Sequence, residues 1–168
     1  MTSTTQIFSN PPPLHVFLSG RVDGIPLDVS SSWRHEAAGL LTSHGCRIYD
    51  PTRVIVAAES GYQARPNEVF TNDRRQLNIT DVLLVNLDLP THIASHDAPF
   101  FTIGEMFLAH ARELPVITFG ACFRGRPGYE AVVTRSFDQL TQAVDYILLH
   151  YLPCASAPQM GVDKEEVK

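Results

Sequence analysis

The sequence predicts an α/β protein built on a doubly wound, five-stranded parallel sheet in a single domain. Short apolar runs alternate along the chain with segments whose apolar residues recur at helical spacing. One run, residues 81–87, is almost continuously apolar, as in a central strand covered on both faces. The 168 residues suffice for one substantial core. We expect it in residues 14–153, between a disordered lead-in at residues 1–13 and a flexible tail at residues 154–168.

Composition and charge indicate a cytoplasmic globular protein. Hydrophobic residues make up 44% of the chain and charged residues 18%, with a net charge of -5. A nucleic acid polymer is not expected as a partner, because binding its phosphates requires clustered Lys and Arg. No membrane partner is expected either, since no apolar stretch reaches the roughly 20 residues of a membrane span. The three cysteines lack metal-ligand spacing, and no secretory signal pattern opens the chain.

Strand one is predicted at residues 14–18 and ends in the polar turn Ser19-Gly20-Arg21. Glycine suits this turn for either of two reasons, the tight turn itself or a ligand that the backbone approaches closely. The sequence does not distinguish between them. Ser19, Gly20 and Arg21 are therefore candidate contacts for a ligand at the carboxyl end of the strand.

A helix and a short second strand follow. Apolar residues at i, i+4, i+7 and i+8 from Trp33 predict an amphipathic helix, and residues 30–32 are serines that could cap it. Residues 46–49 predict a strand, which residues 50–52 break, so Arg53 lies beyond its carboxyl end. Arg53 could face a ligand or belong to the ordinary surface.

The helical period returns from Glu68, and it places an acid on an apolar face. Phe70, Asp73 and Leu77 stand at i, i+3 and i+7, so the Asp73 carboxylate points to the protected side. A buried acid needs a partner or a shifted pKa. Asp73 could serve structurally, by pairing with a neighbouring arginine or by capping, or it could be a functional acid.

The second half continues the alternation of strands and helices. The central strand at residues 81–87 leads into a loop whose His92, His96 and Asp97 lack regular ligand spacing, so no metal is expected. A helix over residues 102–114 carries Glu105 in its first turn. The remaining predictions are strand four at residues 115–119, a glycine-rich turn at residues 120–128, strand five at residues 131–134 and a last helix at residues 140–151.

The two acids suggest a chemistry. The positive end of the helix dipole favours an ionised Glu105, which could act as a nucleophile. A semi-buried Asp73 could stay protonated and give or steer a proton. Two carboxylates in unequal environments are the groups that carry out retaining glycosyl transfer.

Three segments resemble the nucleoside 2-deoxyribosyltransferase superfamily, which also contains 2′-deoxynucleoside 5′-phosphate N-hydrolases. They are VFLSG, NDRRQLNITDVLLVNLD, and GEMFLAH followed by LPVITFG, within residues 14–120. The spacing of eight residues from Asp73 to Asp81 matches the superfamily pattern, as does a glutamate, Glu105, four residues before Ala109.

The resemblance implies a flavodoxin-like fold and cleavage of the N-glycosidic bond of a 2′-deoxynucleoside. Glu105 would form a covalent deoxyribosyl intermediate, and Asp73 would assist at the nucleobase. A second nucleobase would then take the sugar in a transferase, or water in a hydrolase. No metal or organic cofactor is implied. The resemblance also implies a homo-oligomer with sites near its subunit interfaces. Phe100, Phe101 and Phe107 are candidate contacts between the subunits.

Three positions depart from the superfamily pattern. Phe17 replaces a tyrosine whose hydroxyl would orient Glu105, and Phe107 replaces a glycine. Pro99 replaces the residue that contacts the 5′ end of the sugar, with Asp97 and Thr102 as nearby substitutes. The full set of expected substrate-binding residues is Ser19, Gly20, Arg21, Arg53, Asp97, Thr102 and Gly104.

The transferase is the first choice of function, because Asp97 would repel a 5′-phosphate. Phosphate binding by Arg124 or Arg126 would instead favour the hydrolase. A nucleotide-sensing module of the same fold that has lost its chemistry is the third alternative.

Overall fold

Five parallel strands form one sheet in the computed structural model, which describes residues 11–22, 24–53, 65–88 and 99–153. The strands are β1 His15–Gly20, β2 Arg47–Tyr49, β3 Val82–Asn86, β4 Val116–Phe119 and β5 Arg135–Phe137. They pair in the order β2-β1-β3-β4-β5, and every pairing is parallel. The predicted doubly wound parallel sheet is confirmed, in the strand order of flavodoxin-like folds.

Helices cover both faces of this sheet. They are α1 Leu27–Thr42, α2 Pro66–Leu77, α3 Phe100–Ala111, α4 Pro127–Val132 and α5 Leu140–Tyr151. Alternate residues of β1 point to opposite faces, so Val16 and Leu18 pack in a core cluster with α1 and α5. Phe17 packs in a second cluster with α2, α3 and α4. Among the described helices, none combines the length and apolar character needed to cross a membrane.

The prediction of strand five at residues 131–134 is wrong. Ala131 and Val132 end the short helix α4, whose first residue is Pro127, and the strand begins only at Arg135. A short apolar run does not by itself distinguish a strand from the buried side of a short helix. Val132 is buried against the second core cluster, which stabilises the helical choice.

Two helices also begin earlier than predicted. α1 begins at Leu27 after Pro26, so the serines at residues 30–32 lie inside the helix and do not cap it. Ser30 Oγ instead donates a hydrogen bond to the carbonyl of Leu27, at 2.9 Å. α3 begins at Phe100, which places Glu105 in its second turn.

The carboxyl ends of the central strands lie level with one another. Ser19 is in register with Val85, and Gly20 with Asn86. Asn86 is in turn in register with Phe119 of β4. In an open α/β sheet this edge is where ligands bind, and Ser19 and Gly20, two of the predicted contacts, lie at it.

Candidate active site

The central contact of the site joins β1 to α3. Ser19 is the last residue but one of β1, on the same face as Phe17, and its Oγ donates a hydrogen bond to Glu105 Oε2. Neither side chain is open to solvent, since Ser19 is 0% and Glu105 6% exposed. Phe17 has no hydroxyl to offer Glu105, and Ser19 supplies a hydrogen bond to this carboxyl from the same strand.

Burial dominates the ionisation of Glu105. The pKa of this carboxyl is raised to about 7, chiefly by burial and in part by the nearby charge of Asp73. The Ser19 hydrogen bond and the charge of Arg34 oppose these effects. The expectation that a helix dipole would keep Glu105 ionised is wrong, since desolvation outweighs it and Glu105 lies beyond the first turn of α3.

Asp73 lies in α2, on the same side of the sheet as Glu105. It is 4% exposed, and burial raises its pKa to about 6. Among the described residues it forms no ion pair with Arg74 or Arg75, and its buried Oδ1 accepts no hydrogen bond. A structural ion pair therefore does not explain this acid. Asp73 lies close enough to Glu105 for its charge to raise the pKa of Glu105.

Sequence reasoning missed Arg34, the largest of the fully buried side chains of the described residues. Its guanidinium lies behind the end of β1, where Nη2 donates to the carbonyl of Gly20 at 2.9 Å and Nη1 to that of Ser30. Nε lies 3.5 Å from Asp50 Oδ1, and Cζ lies 4.6 Å from the centroid of the Trp33 ring.

Arg34 brings a positive charge to the site. Burial lowers its pKa to about 10, against the opposing charges of Asp50 and Glu105, so it remains a cation at neutral pH. A signal was available in the sequence. Arg34, Ala37 and Leu41 stand at i, i+3 and i+7, the same pattern that identified Asp73 as a buried acid.

The close approach at Gly20 has a packing cause. A Cβ at this position would lie 2.9 Å from the indole of Trp33 and 3.2 Å from Asn86 Cβ. Glycine is therefore required here by the contact between β1 and α1. This packing against Trp33 and Asn86 is a third reason, beside the tight turn and the ligand weighed for this glycine.

The other predicted contacts divide between locations. Thr102 is buried one turn before Glu105 in α3, and Gly104 is half-buried with open space where a Cβ would stand. Arg53 is exposed beyond β2. Asp97 lies outside the described residues.

Arg21 lines a cleft of about 470 Å³ on the other side of β1. Trp33 and Phe119 form apolar walls of this cleft, and Asp88 and Asp138 are among its polar groups. Glu105 is not among the residues that line this cleft. Within the described residues, no cluster of His, Cys, Asp and Glu could hold a metal ion.

Solved structures of low sequence identity share this fold. A 2-desoxiribosyltransferase from Leishmania mexicana superposes with a TM-score of 0.63 at 16% identity, over 83% of this chain and 100% of its own. A conserved protein from Enterococcus faecalis V583 superposes with a TM-score of 0.61 at 13% identity, over 82% of this chain and 99% of its own. A 2-deoxyribosyltransferase from Bacillus psychrosaccharolyticus superposes with a TM-score of 0.54 at 13% identity, over 79% of this chain and 91% of its own. At these identities the likeness establishes the fold. No protein-family model and no curated protein sequence matches the chain.

Arg34→Lys should lower the free energy of unfolding by about 3 kcal/mol, because an ammonium cannot bond both carbonyls and stack on Trp33 while buried. Urea unfolding at pH 7 measures the change. Arg47→Lys is the matched control, since Arg47 is exposed on β2, and it should change stability by less than about 0.5 kcal/mol. Equal effects of the two substitutions would contradict the structural role of Arg34.

Glu105→Gln should stabilise the protein at pH 8 by on the order of 2–3 kcal/mol and change little at pH 4. The folded wild type holds the Glu105 proton up to about pH 7, whereas the unfolded chain releases it near its ordinary value of 4.5. Wild-type stability therefore falls as pH rises through this window, and the amide removes that loss.

Urea unfolding at both pH values measures the difference. Glu36→Gln, at an exposed position of α1, is the control and should show no pH-dependent gain. A Glu105→Gln variant that is less stable than wild type at pH 8 would contradict the buried, ionisation-resistant carboxyl.

Proposed function

We propose that this protein is a nucleoside 2-deoxyribosyltransferase, which cleaves the N-glycosidic bond of a 2′-deoxynucleoside and transfers the sugar to another nucleobase. The observation that carries the proposal is the pair of buried carboxylates, Glu105 and Asp73, on one side of the sheet below the end of β1. The shared fold of two 2-deoxyribosyltransferases supports this choice of chemistry.

In the first step, ionised Glu105 attacks the anomeric carbon of the deoxyribose. The bond from that carbon to the base nitrogen breaks, and its electron pair goes to the base, which takes the proton of Asp73. A neutral glycosyl ester of Glu105, a free nucleobase and an ionised Asp73 result. A second nucleobase then attacks the anomeric carbon, and the bond from that carbon to the Glu105 oxygen breaks. Its electron pair returns to Glu105, which leaves as a carboxylate, and ionised Asp73 takes up the proton of the incoming base.

This sequence keeps a single negative charge on the two acids throughout. The charge lies on Glu105 before the first step and on Asp73 after it, because the ester is neutral. Two like charges in one buried site are strongly disfavoured, and each raises the cost of ionising the other. Burial also destabilises the ionised nucleophile relative to its neutral ester, which favours formation of the intermediate. The arrangement therefore suits double displacement.

The choice between a transferase and a 5′-phosphate hydrolase depends on whether the site holds a phosphate. Arg124, which would favour a hydrolase if it held a phosphate, already pairs with Asp138 at 2.6 Å. Arg126 has its Cζ 5.2 Å from the centroid of the Phe123 ring. Neither arginine therefore favours a 5′-phosphate substrate. The proposed repulsion of phosphate by Asp97 falls outside the described residues.

The proposed assembly is a homo-oligomer. Phe100 and Phe107 of α3 are 79% and 50% exposed, and Phe101 is 44% exposed. Three aromatic rings open to solvent on one helix are an apolar surface of the kind that a second subunit covers. Their place on the helix of Glu105 would bring the interface near the site.

Incubation of the protein with deoxyadenosine and free cytosine should yield deoxycytidine and adenine. Chromatography of the reaction mixture identifies and quantifies these products. Glu105→Ala should abolish turnover, and Asp73→Asn should reduce kcat by on the order of 10². Asp145→Asn, at an exposed carboxylate of α5, is the control and should leave kcat unchanged.

Three outcomes would contradict parts of this proposal. Turnover by Glu105→Ala would exclude Glu105 as nucleophile. Adenine with free deoxyribose, or activity confined to deoxynucleoside monophosphates, would replace the transferase by the hydrolase. Binding of intact nucleoside without any cleavage would leave only the sensing module.

The pH dependence of kcat/KM should be bell-shaped, with its maximum between about pH 6 and pH 7, as the two pKa values require. Activity rises as Glu105 ionises and falls as Asp73 loses its proton. Initial rates across pH 4.5–9 at about one tenth of KM measure the profile. Asp73→Asn should lose the alkaline limb and keep the acidic one. An unchanged alkaline limb in this variant would remove Asp73 from the role of acid.

A further inference from the structure

We infer that Ser19 is a positioning residue for the nucleophile: its hydroxyl holds Glu105 Oε2 and directs the other carboxylate oxygen at the sugar. This inference rests on the proposed function and assigns Ser19 a role different from substrate binding. Ser19 has one hydroxyl proton, and that proton is donated to Glu105. When Glu105 is ionised, Ser19 therefore has no second proton to donate to a substrate.

The position of Ser19 is set by the sheet. β1 is a central strand, and Ser19 is paired in register with Val85 of β3. The next residue, Gly20, has its carbonyl held by Arg34 Nη2 at 2.9 Å. A one-carbon side chain with 0% exposure on such a strand has little freedom to move. The donor is therefore preorganised before substrate arrives.

The geometry divides the two oxygens of Glu105 between two tasks. Oε2 accepts the bond from Ser19, whereas Oε1 accepts no hydrogen bond from the residues that the structure describes. An oxygen without a donor keeps its lone pairs for attack on carbon. The hydrogen bond also favours the ionised form of a carboxyl that burial would otherwise keep protonated.

Ser19→Ala should lower kcat about 10–100-fold at pH 6.5 with KM nearly unchanged, because the hydroxyl contacts Glu105 and no substrate atom. The limb of the kcat/KM profile that reports the ionisation of Glu105 should move to higher pH by about one pH unit, since a hydrogen bond to a charged group is lost. A purely structural role would lower the amount of folded enzyme without moving this limb.

Thr118→Val is the matched control. Thr118 is another hydroxyl on the sheet with 0% exposure, but its Oγ1 contacts Tyr129 Oη at 2.7 Å and Ser136 Oγ at 3.1 Å. Loss of this hydroxyl disturbs packing to a similar degree without touching Glu105. The variant should retain the wild-type acidic limb.

A second measurement does not depend on turnover. The Glu105 carboxyl carbon is followed by NMR from pH 4 to pH 9 in protein labelled at glutamate, with Glu105→Gln used to assign its signal. In Ser19→Ala its titration midpoint should rise by about one pH unit, and in Thr118→Val it should stay in place.

The outcomes separate the two proposals. A titration midpoint of Glu105 that is unchanged in Ser19→Ala would overturn the positioning role, while transfer by the wild type would stand. A rise in KM with unchanged kcat would also overturn it, by placing Ser19 on the substrate. If the Glu105 midpoint rises in Ser19→Ala but the wild type transfers no sugar, the contact between Ser19 and Glu105 is upheld and the proposed function is removed.

Discussion

Desolvation of two carboxyl groups beneath the end of β1 is the constraint on which the rest of the site depends. Burial raises the pKa of both Glu105 and Asp73, and the charge of Asp73 also raises the pKa of Glu105. A second negative charge there costs more free energy than the first. The partners around Glu105 follow from this limit, because a single hydroxyl and a remote cation stabilise one anion without neutralising it.

Arg34 meets that requirement without an ion pair to Glu105. Its guanidinium bonds the carbonyl of Gly20, lies beside Asp50 and stacks on Trp33, which ties α1 to the ends of β1 and β2. A direct pair would hold the pKa of Glu105 low and weaken it as a nucleophile. Placed behind the strand, the cation supports both the backbone that carries Ser19 and the charge that Glu105 must bear.

The polar site is stabilised by apolar packing around it. The two core clusters cover both faces of the sheet and supply the burial that holds the buried acids in place. Uncompensated buried carboxyls reduce stability, and such losses at a site are a usual cost of activity. The cleft that contains Arg21 lies on the opposite side of β1, and neither Glu105 nor Asp73 is among its lining residues.

The sequence by itself determined the fold class and the buried position of Asp73, because helical and strand periodicities record which side of each element faces the core. Strand five, the start of α3 and the place of Arg34 were missed or misassigned, since short apolar runs and lone buried charges depend on what packs against them. The bond from Ser19 to Glu105 joins residues 86 positions apart. Only the tertiary structure decided it, because local patterns carry no information about which strand end meets which helix turn, and the ionisation of both acids follows from that meeting.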